Sequence, residues 1–273
     1  MGLKNDLTSH VILSKINRVR ELASHQVCRD ALALEIEQAL LALSEGKMEL
    51  EGLMPWSSNY TFLVHLRQSN GRDVLGIYKP CEGERPLWDF PDGTLCYREF
   101  TSYLVSLALG WPNIPPTILR NGPHGPGSVQ LFIEAEYEAH YFNMRDTVGL
   151  NDEFRRIALF DYVINNADRK GGHCLKDKDG QIWCIDHGLT FHADFKLRTV
   201  IWEYCQETIP ASLQKDLERL RALMTEPSEL CQILAHFISP REIQAFRSRL
   251  ERLLSARQLP RLHPGRNVPF PPV

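Results

Sequence analysis

Short β-forming runs in this chain are crowded into one stretch, and helical patterns fill most of the remainder. MELEGL, TFLVHL and VLGIYK follow one another from Met48, the last two separated by the turn-forming RQSNGRD. Upstream, about 12–44 reads as helical: Leu32, Ile36, Ala39, Leu40 and Leu43 form an apolar stripe near helical period, and Gly46 offers a stop. Downstream, residues 79–94 read as a loop rich in Pro, Gly and Asp. LCYREFTSYLVSLAL then has helical spacing and ends at Gly110, residues 113–127 read as a second loop, and SVQLFIEAE as a buried strand. Beyond it come the amphipathic DEFRRIALFDYVINN and helical segments near 211–223, 228–237 and 240–253. CLKDKDGQIWCID interrupts them as a hairpin around a KDKDG turn. The order predicts an α+β chain with a small β-rich lobe and a mainly helical lobe. The expected boundaries are a helical extension over 1–46, the first lobe over 47–134, the second over 135–262, and a Pro-rich, extended or disordered tail over 263–273.

Charge and composition narrow the partners more than the fold. A formal net charge of −3 gives no ground for a nucleic-acid partner held by bulk charge. No apolar run approaches the roughly 20 residues that span a bilayer. The N-terminal MGLKNDLTSHVILSKINRVREL is too polar for a secretory signal, and Asp6 stands where a myristoylation motif needs Ser or Thr. The 7 cysteines (Cys28, Cys81, Cys96, Cys174, Cys184, Cys205 and Cys231) are odd in number and scattered. That pattern reads as reduced thiols in a cytoplasmic protein, not as a disulfide framework.

The segment with most chemistry is Asn165-Asn166-Ala167-Asp168-Arg169-Lys170-Gly171-Gly172-His173, followed by the hairpin and then Ile185-Asp186-His187-Gly188. Phosphoryl transfer needs a carboxylate near the acceptor hydroxyl and metal ions bridging the phosphates. A loop Asp, a further loop ligand and an Asp closing a hairpin supply those parts, at Asp168, His173 and Asp186. A zinc cluster of His173, Cys174, Cys184 and His187 matches no standard paired-ligand spacing. KDKDG lacks the later ligands of a calcium loop and reads as a turn.

NNADRKGGH…WCIDHGL resembles the catalytic and metal-binding loops of the phosphatidylinositol 3- and 4-kinase-like superfamily, in particular its small bacterial members. It is also similar to the HipA-type protein kinases. The resemblance covers roughly 48–192 and implies a two-lobed protein-kinase-like fold with its active site in the cleft between the lobes. It assigns Asp168 as the catalytic-loop Asp, with Arg169 shaping the loop or steadying charge, and Asp186 as the metal-binding Asp. Better-known relatives have Asn where this chain has His173. Imidazole suits later transition ions and manganese tolerates both donor types. His173 therefore either ligates a metal with a shift toward manganese, or contacts a phosphate, or marks the loss of a second metal site.

The β-rich stretch supplies partners for that reading. Kinases hold the ATP phosphates with a strand lysine paired to a helical glutamate. Lys79 ends VLGIYK and Glu99 lies in the next helix. Ser57, Ser58 and Asn59, leading into TFLV, stand where a phosphate-covering loop belongs, without its glycines. Residues 83–99, with Arg85, Trp88 and Asp89, also resemble the small bacterial group. Gln130 to Glu134 would be the hinge strand that offers backbone groups to adenine. The expectation is an ATP-dependent phosphotransferase using Mg2+ or Mn2+, acting on a hydroxyl of a lipid, small molecule or protein. The alternatives are a HipA-type Ser/Thr kinase and a nucleotide-binding pseudokinase serving as an interaction module. The chain has no evident basic membrane-facing cluster, which weakens a phosphoinositide acceptor.

Overall fold

The computed structural model describes residues 7–23, 30–55, 57–111, 113–136, 138–225 and 227–273. Asp6, Cys28 and Trp56, each used above, lie outside the described residues, as does the side chain of Leu32. Contacts divide the chain into two units, Met1–Phe132 and Ile133–Val273.

In the first unit the helical N-terminal stretch forms two helices, α1 (Ser9–Ala23) and α2 (Asp30–Glu45). Each has its own apolar face. Ile12, Ile16 and Val19 of α1 are buried at helical spacing, as are Leu40 and Leu43 of α2. Both helices pack within this unit, α1 on the later helix and α2 on the sheet. The strands are β1 (Lys47–Leu53), β2 (Phe62–Arg67) and β3 (Asp73–Pro80), followed by α3 (Leu95–Leu109), β4 (Thr117–Gly122) and β5 (Gly125–Leu131). They form one sheet in the order β1-β2-β3-β5-β4, each neighbouring pair antiparallel.

β4 corrects the sequence reading, which placed 113–127 in a loop. Its Ile118 and Leu119 are fully buried, and it pairs with β5 from Thr117↔Gln130 to Gly122↔Gly125. The Pro and Gly residues that suggested a loop form the hairpin turn and the start of β5. Gly127 is required there by close approach: a Cβ would lie 2.8 Å from the Pro80 Cα and from the Tyr78 ring. α3 is buried nearly all round and is closed by Gly110 in the left-handed conformation, at φ 72°.

The second unit holds α4 (Tyr141–Met144), α5 (Asn151–Ile164), the hairpin β6 (Cys174–Lys176) and β7 (Ile182–Cys184), then α6 (Ala211–Leu223), α7 (Glu229–Leu234) and α8 (Pro240–Ala256). The KDKDG turn is closed by Asp177, whose carboxylate accepts from the Asp179 and Gln181 amides and from the Trp183 indole. α8 starts with Ser239 and Glu242 capping each other's backbone N–H groups and Pro240 in the first turn. It packs on α5 and α6.

The tail is another correction, because it docks on its own unit. The Asn267 carbonyl accepts from the Thr199 amide (2.9 Å) and the Trp202 indole (3.1 Å), and the Pro272 carbonyl accepts from the Gly171 amide (2.7 Å). Within the tail the Asn267 side chain bonds the His263 and Gly265 backbone, and the remaining carbonyls are strong acceptors for the rest of the unit. Among the described residues no helix is long and apolar enough to cross a membrane.

Candidate active site

The first unit brings Lys79 and Glu99 together. Lys79 is the next-to-last residue of β3 and Glu99 sits one turn into α3. Nζ donates to Oε1 at 2.9 Å, with 22% of the lysine side chain and 3% of the glutamate side chain exposed. The loop between β1 and β2 is closed by the Met54 amide donating to the Thr61 carbonyl. Ser57 and Ser58 are exposed in it. The Ser57 and Thr61 hydroxyls share a hydrogen bond of 2.8 Å, and Asn59 Oδ1 accepts from the Arg85 amide. In the 83–99 stretch Phe90 is buried under the Arg98 guanidinium, whereas Trp88 is 91% exposed.

Gln130 does not fit a hinge role. It lies inside the sheet, opposite Ile77 on one side and Thr117 on the other, and its side chain donates to Thr117 Oγ1 at 2.9 Å. A strand flanked on both sides has its backbone groups taken by the ladder. Glu134 lies beyond the strand and is exposed.

The cysteines require a third correction. Cys81 and Cys96 form a disulfide, so they are not reduced thiols as the scattered pattern suggested. A disulfide needs two Cα atoms at the right separation, here 5.9 Å, and the count of cysteines along a chain does not report that.

In the second unit the loop after α5 is fixed before any ligand arrives. Asn165 ends α5 in the left-handed conformation at φ 55°. Its amide donates to the His192 and Asp194 carbonyls and its carbonyl oxygen accepts from the Lys196 amide. Asn166, fully buried, donates to Asp161 and accepts from the Asp168 amide. The Ala167 amide donates to the Leu189 carbonyl, and the Arg169 amide to the Arg198 carbonyl.

Arg169 is the centre of this arrangement, and its contacts are those of a residue that shapes the loop. It is fully buried and its guanidinium is spent inside the protein. It pairs with Asp161 on α5 (Nε to Oδ2 3.0 Å, Nη2 to Oδ1 3.0 Å) and donates to the His173 and Ile185 carbonyls (3.3 and 3.1 Å) and to His187 Nε2 (2.6 Å). Burial works against its charge, but Asp161, Cys184 and Cys174 together outweigh that, so its pKa lies above the ordinary arginine value. One cation thus ties the helix to the residues on which His173 and Asp186 hang.

Asp168, His173 and Asp186 are partly exposed, with 25%, 14% and 48% of their side chains accessible. The Asp168 carboxylate is one-quarter exposed, with the Lys170 ammonium 3.5 Å away. Burial pushes its pKa up to about 6, Lys170 pulls it back, and the nearby Asp186 charge adds to the rise. His173 Nε2 faces Asp186 Oδ2 at 3.4 Å. Two donors each about 2.1 Å from a shared ion lie about 3.0 to 3.4 Å apart at octahedral to tetrahedral angles, so the pair fits a divalent cation. Ligation through Nε2 requires a proton on Nδ1, which here accepts from the Lys170 amide at 3.4 Å. That bond is at the weak end of the range, so the tautomer change is cheap. Asp186 is held at φ 60°, a left-handed conformation rare for a residue with a side chain.

Sequence reasoning missed Asp161. Its signal was present: it stands on the same helical stripe as Phe154, Ile157 and Ala158, where a charge without a partner would be costly.

A strand lysine paired to a helical glutamate in one unit, and a clamped loop with two acidic groups in the other, define a kinase-like phosphotransferase. A model of the phosphatidylinositol 3- and 4-kinase family matches residues 117–254, and the chain belongs to that family. It is 37% identical over 281 residues to protein Rv2133c of Mycobacterium tuberculosis, covering 90% of this chain and 99% of that one. It is 24% identical to phosphatidylinositol 4-kinase gamma 4 of Oryza sativa, over 51% of this chain and 31% of that one. With phosphatidylinositol 4-kinase gamma 3 of Arabidopsis thaliana the identity is 21%, over 71% and 42%. The chain therefore spans well under half the length of the plant relatives. The Helicobacter pylori proinflammatory kinase CtkA aligns with a TM-score of 0.47 and 12% identity, over 76% of this chain and 91% of that one.

Proposed function

We propose that this chain transfers the γ-phosphate of ATP to an alcohol hydroxyl. The reading rests first on one observation: a donor pair of His173 and Asp186 at 3.4 Å, on a loop that also presents a carboxyl with a pKa of about 6. A base is most effective when its pKa lies near the working pH, and Asp168 meets that condition without being fully buried. Asp168 orients the acceptor hydroxyl and takes its proton. A divalent cation held by Asp186 and His173 neutralises charge developing on the phosphates. Lys79, steadied by Glu99, binds the α- and β-phosphates, and the loop carrying Ser57, Ser58 and Asn59 covers them with hydroxyl and backbone donors. With Gln130 locked in the sheet, adenine's hydrogen bonds fall to the backbone near Glu134. Arg169 is a positioning residue. The acceptor classes to separate are a lipid, a small molecule and a protein. Phosphatidylinositol is the first lipid to try, given the names of the plant relatives.

The test is calorimetric titration of ATP with Mg2+ and then Mn2+ into the wild type, Asp186→Ala and His173→Asn. Metal-dependent binding is expected in the wild type, with loss of roughly tenfold or more in Asp186→Ala. His173→Asn is expected to bind with its preference moved toward Mg2+. Equal binding by wild type and Asp186→Ala would remove Asp186 from the site, and no binding with either metal would overturn the ATP reading and leave a scaffold on this fold.

A further inference from the structure

The Lys79–Glu99 pair is bracketed by a covalent bond. Cys81 lies two residues after Lys79 and Cys96 three before Glu99, and their disulfide spans a sequence separation of 15. It ties the chain leaving β3 to the first turn of α3. Glu84 adds a second tie, because its carboxylate accepts from the Leu95 amide at 3.0 Å and the Cys96 amide at 2.8 Å. Those amides are among the unpartnered donors that open every helix, so Glu84 fixes the start of α3 to the loop that Cys81 begins. Cys96 is buried, whereas Cys81 is half-buried.

The pair is largely buried, with 22% of the lysine and 3% of the glutamate side chain exposed, so parting its two elements would leave a buried carboxylate without this partner. A disulfide on the same two elements restricts how far they part, and this one acts within a few residues of both charges. Other cysteines differ in this respect: Cys174 and Cys184 are fully buried thiols, opposite each other in the β6–β7 hairpin.

We propose that the Cys81–Cys96 disulfide is a redox-sensitive brace that sets nucleotide affinity by holding Lys79 against Glu99. The inference rests on the reading of Lys79 as the phosphate-binding lysine. In the oxidised form the pair is kept made. A dithiol reductant delivers two electrons and two protons: its thiolate attacks one of the two sulfurs, the S–S bond breaks, and the reductant leaves as its own cyclic disulfide. Two thiols remain, the β3 end is released from α3, and Lys79 samples positions away from Glu99.

The experiment uses the full chain, oxidised with oxidised glutathione or reduced with dithiothreitol, and the thiols of each sample are mapped by alkylation and mass spectrometry. Manganese-ATP is titrated into both, and hydrogen exchange is followed over residues 79–99. Reduction is expected to weaken ATP binding at least roughly fivefold, the lower end of ordinary coupling between sites, and to speed exchange in the first turn of α3. Cys81→Ser/Cys96→Ser is expected to show the reduced affinity under both conditions; the wild-type comparison stands without it if that variant fails to fold. Equal affinities in the two wild-type samples would overturn the proposal. So would alkylation of both cysteines in the oxidised sample, or a stoichiometric metal ion held by the two thiols and Glu84, whose donor atoms lie within 4.8 Å of one another. If ATP binds neither form, the kinase reading fails and exchange alone judges the brace: unchanged exchange over 79–99 rejects it.

Discussion

Arg169 shows how a residue of the Asp168 loop serves the fold from inside the protein, through Asp161, His187 and two backbone carbonyls. Its partner Asp161 is fully buried, so removing the arginine strands a carboxylate in the core. Arg169→Ala is expected to destabilise the protein by about 3–5 kcal/mol, measured by urea unfolding, with transfer lost because the loop is lost. Asp168 behaves in the opposite sense. Its pKa is raised from 3.8 to about 6 by folding, so the folded state binds a proton more tightly than the unfolded chain does. The resulting stabilisation is complete below about pH 4 and disappears as pH rises through 6. In metal-free protein, Asp168→Asn is expected to raise stability at pH 7 by on the order of 1–2 kcal/mol and to flatten the slope between pH 4 and 6, while abolishing transfer. A denaturation series across that range, finding wild type and variant parallel, would show that the carboxyl is not perturbed. Asp168, His173 and Asp186 stood out in the sequence because a motif spaces them, and the structure brings His173 and Asp186 to 3.4 Å. Asp161 did not, since the alternatives for a lone helical Asp include an ordinary solvated face, and only its place on the apolar stripe argues otherwise.

At the level of elements, legibility followed the strength of the local pattern. α3 was read to the residue, because a long periodic run ends at a glycine. β1, β2 and β3 were read because β-branched and apolar residues crowd between turn signals. β4 was not, because Pro and Gly in 113–127 reflect a tight hairpin and a close crossing at Gly127, and the same residues also make loops. The crossing is testable. Gly127→Ala puts a methyl group against the Pro80 backbone, and is expected to cost about 1–3 kcal/mol by thermal or urea unfolding. Because the neighbour is backbone that leads from Lys79 to Cys81, the strain should also lower ATP affinity. A neutral effect on both would mean that β5 shifts to accommodate it.

Over the whole molecule, distant contacts are where sequence reading stopped. The order of strands and helices follows from patterns along the chain, but the Cys81–Cys96 bond and the docking of the tail depend on positions that only the folded chain brings together. The tail's contribution is open to direct measurement. Deleting 263–273 removes the acceptors of the Thr199, Trp202 and Gly171 N–H groups. Hydrogen exchange at the Gly171 and Thr199 amides is expected to quicken roughly tenfold, with 117–131 in the other unit unchanged. Exchange unchanged at Gly171 would show that the Pro272 carbonyl is not its partner in solution.

The bond from Gly171 to Pro272 also orders events in time. A polypeptide is made from its N-terminus, and the residues of the Asp168 loop leave the ribosome long before Pro272 is added. A nascent chain can form the ion pair of Asp161 and Arg169 and still lack the last acceptor beneath Gly171. Such a chain carries the Asp168 loop before the Gly171 amide has its acceptor, so this tie is made only after the helices of the same unit have been synthesised.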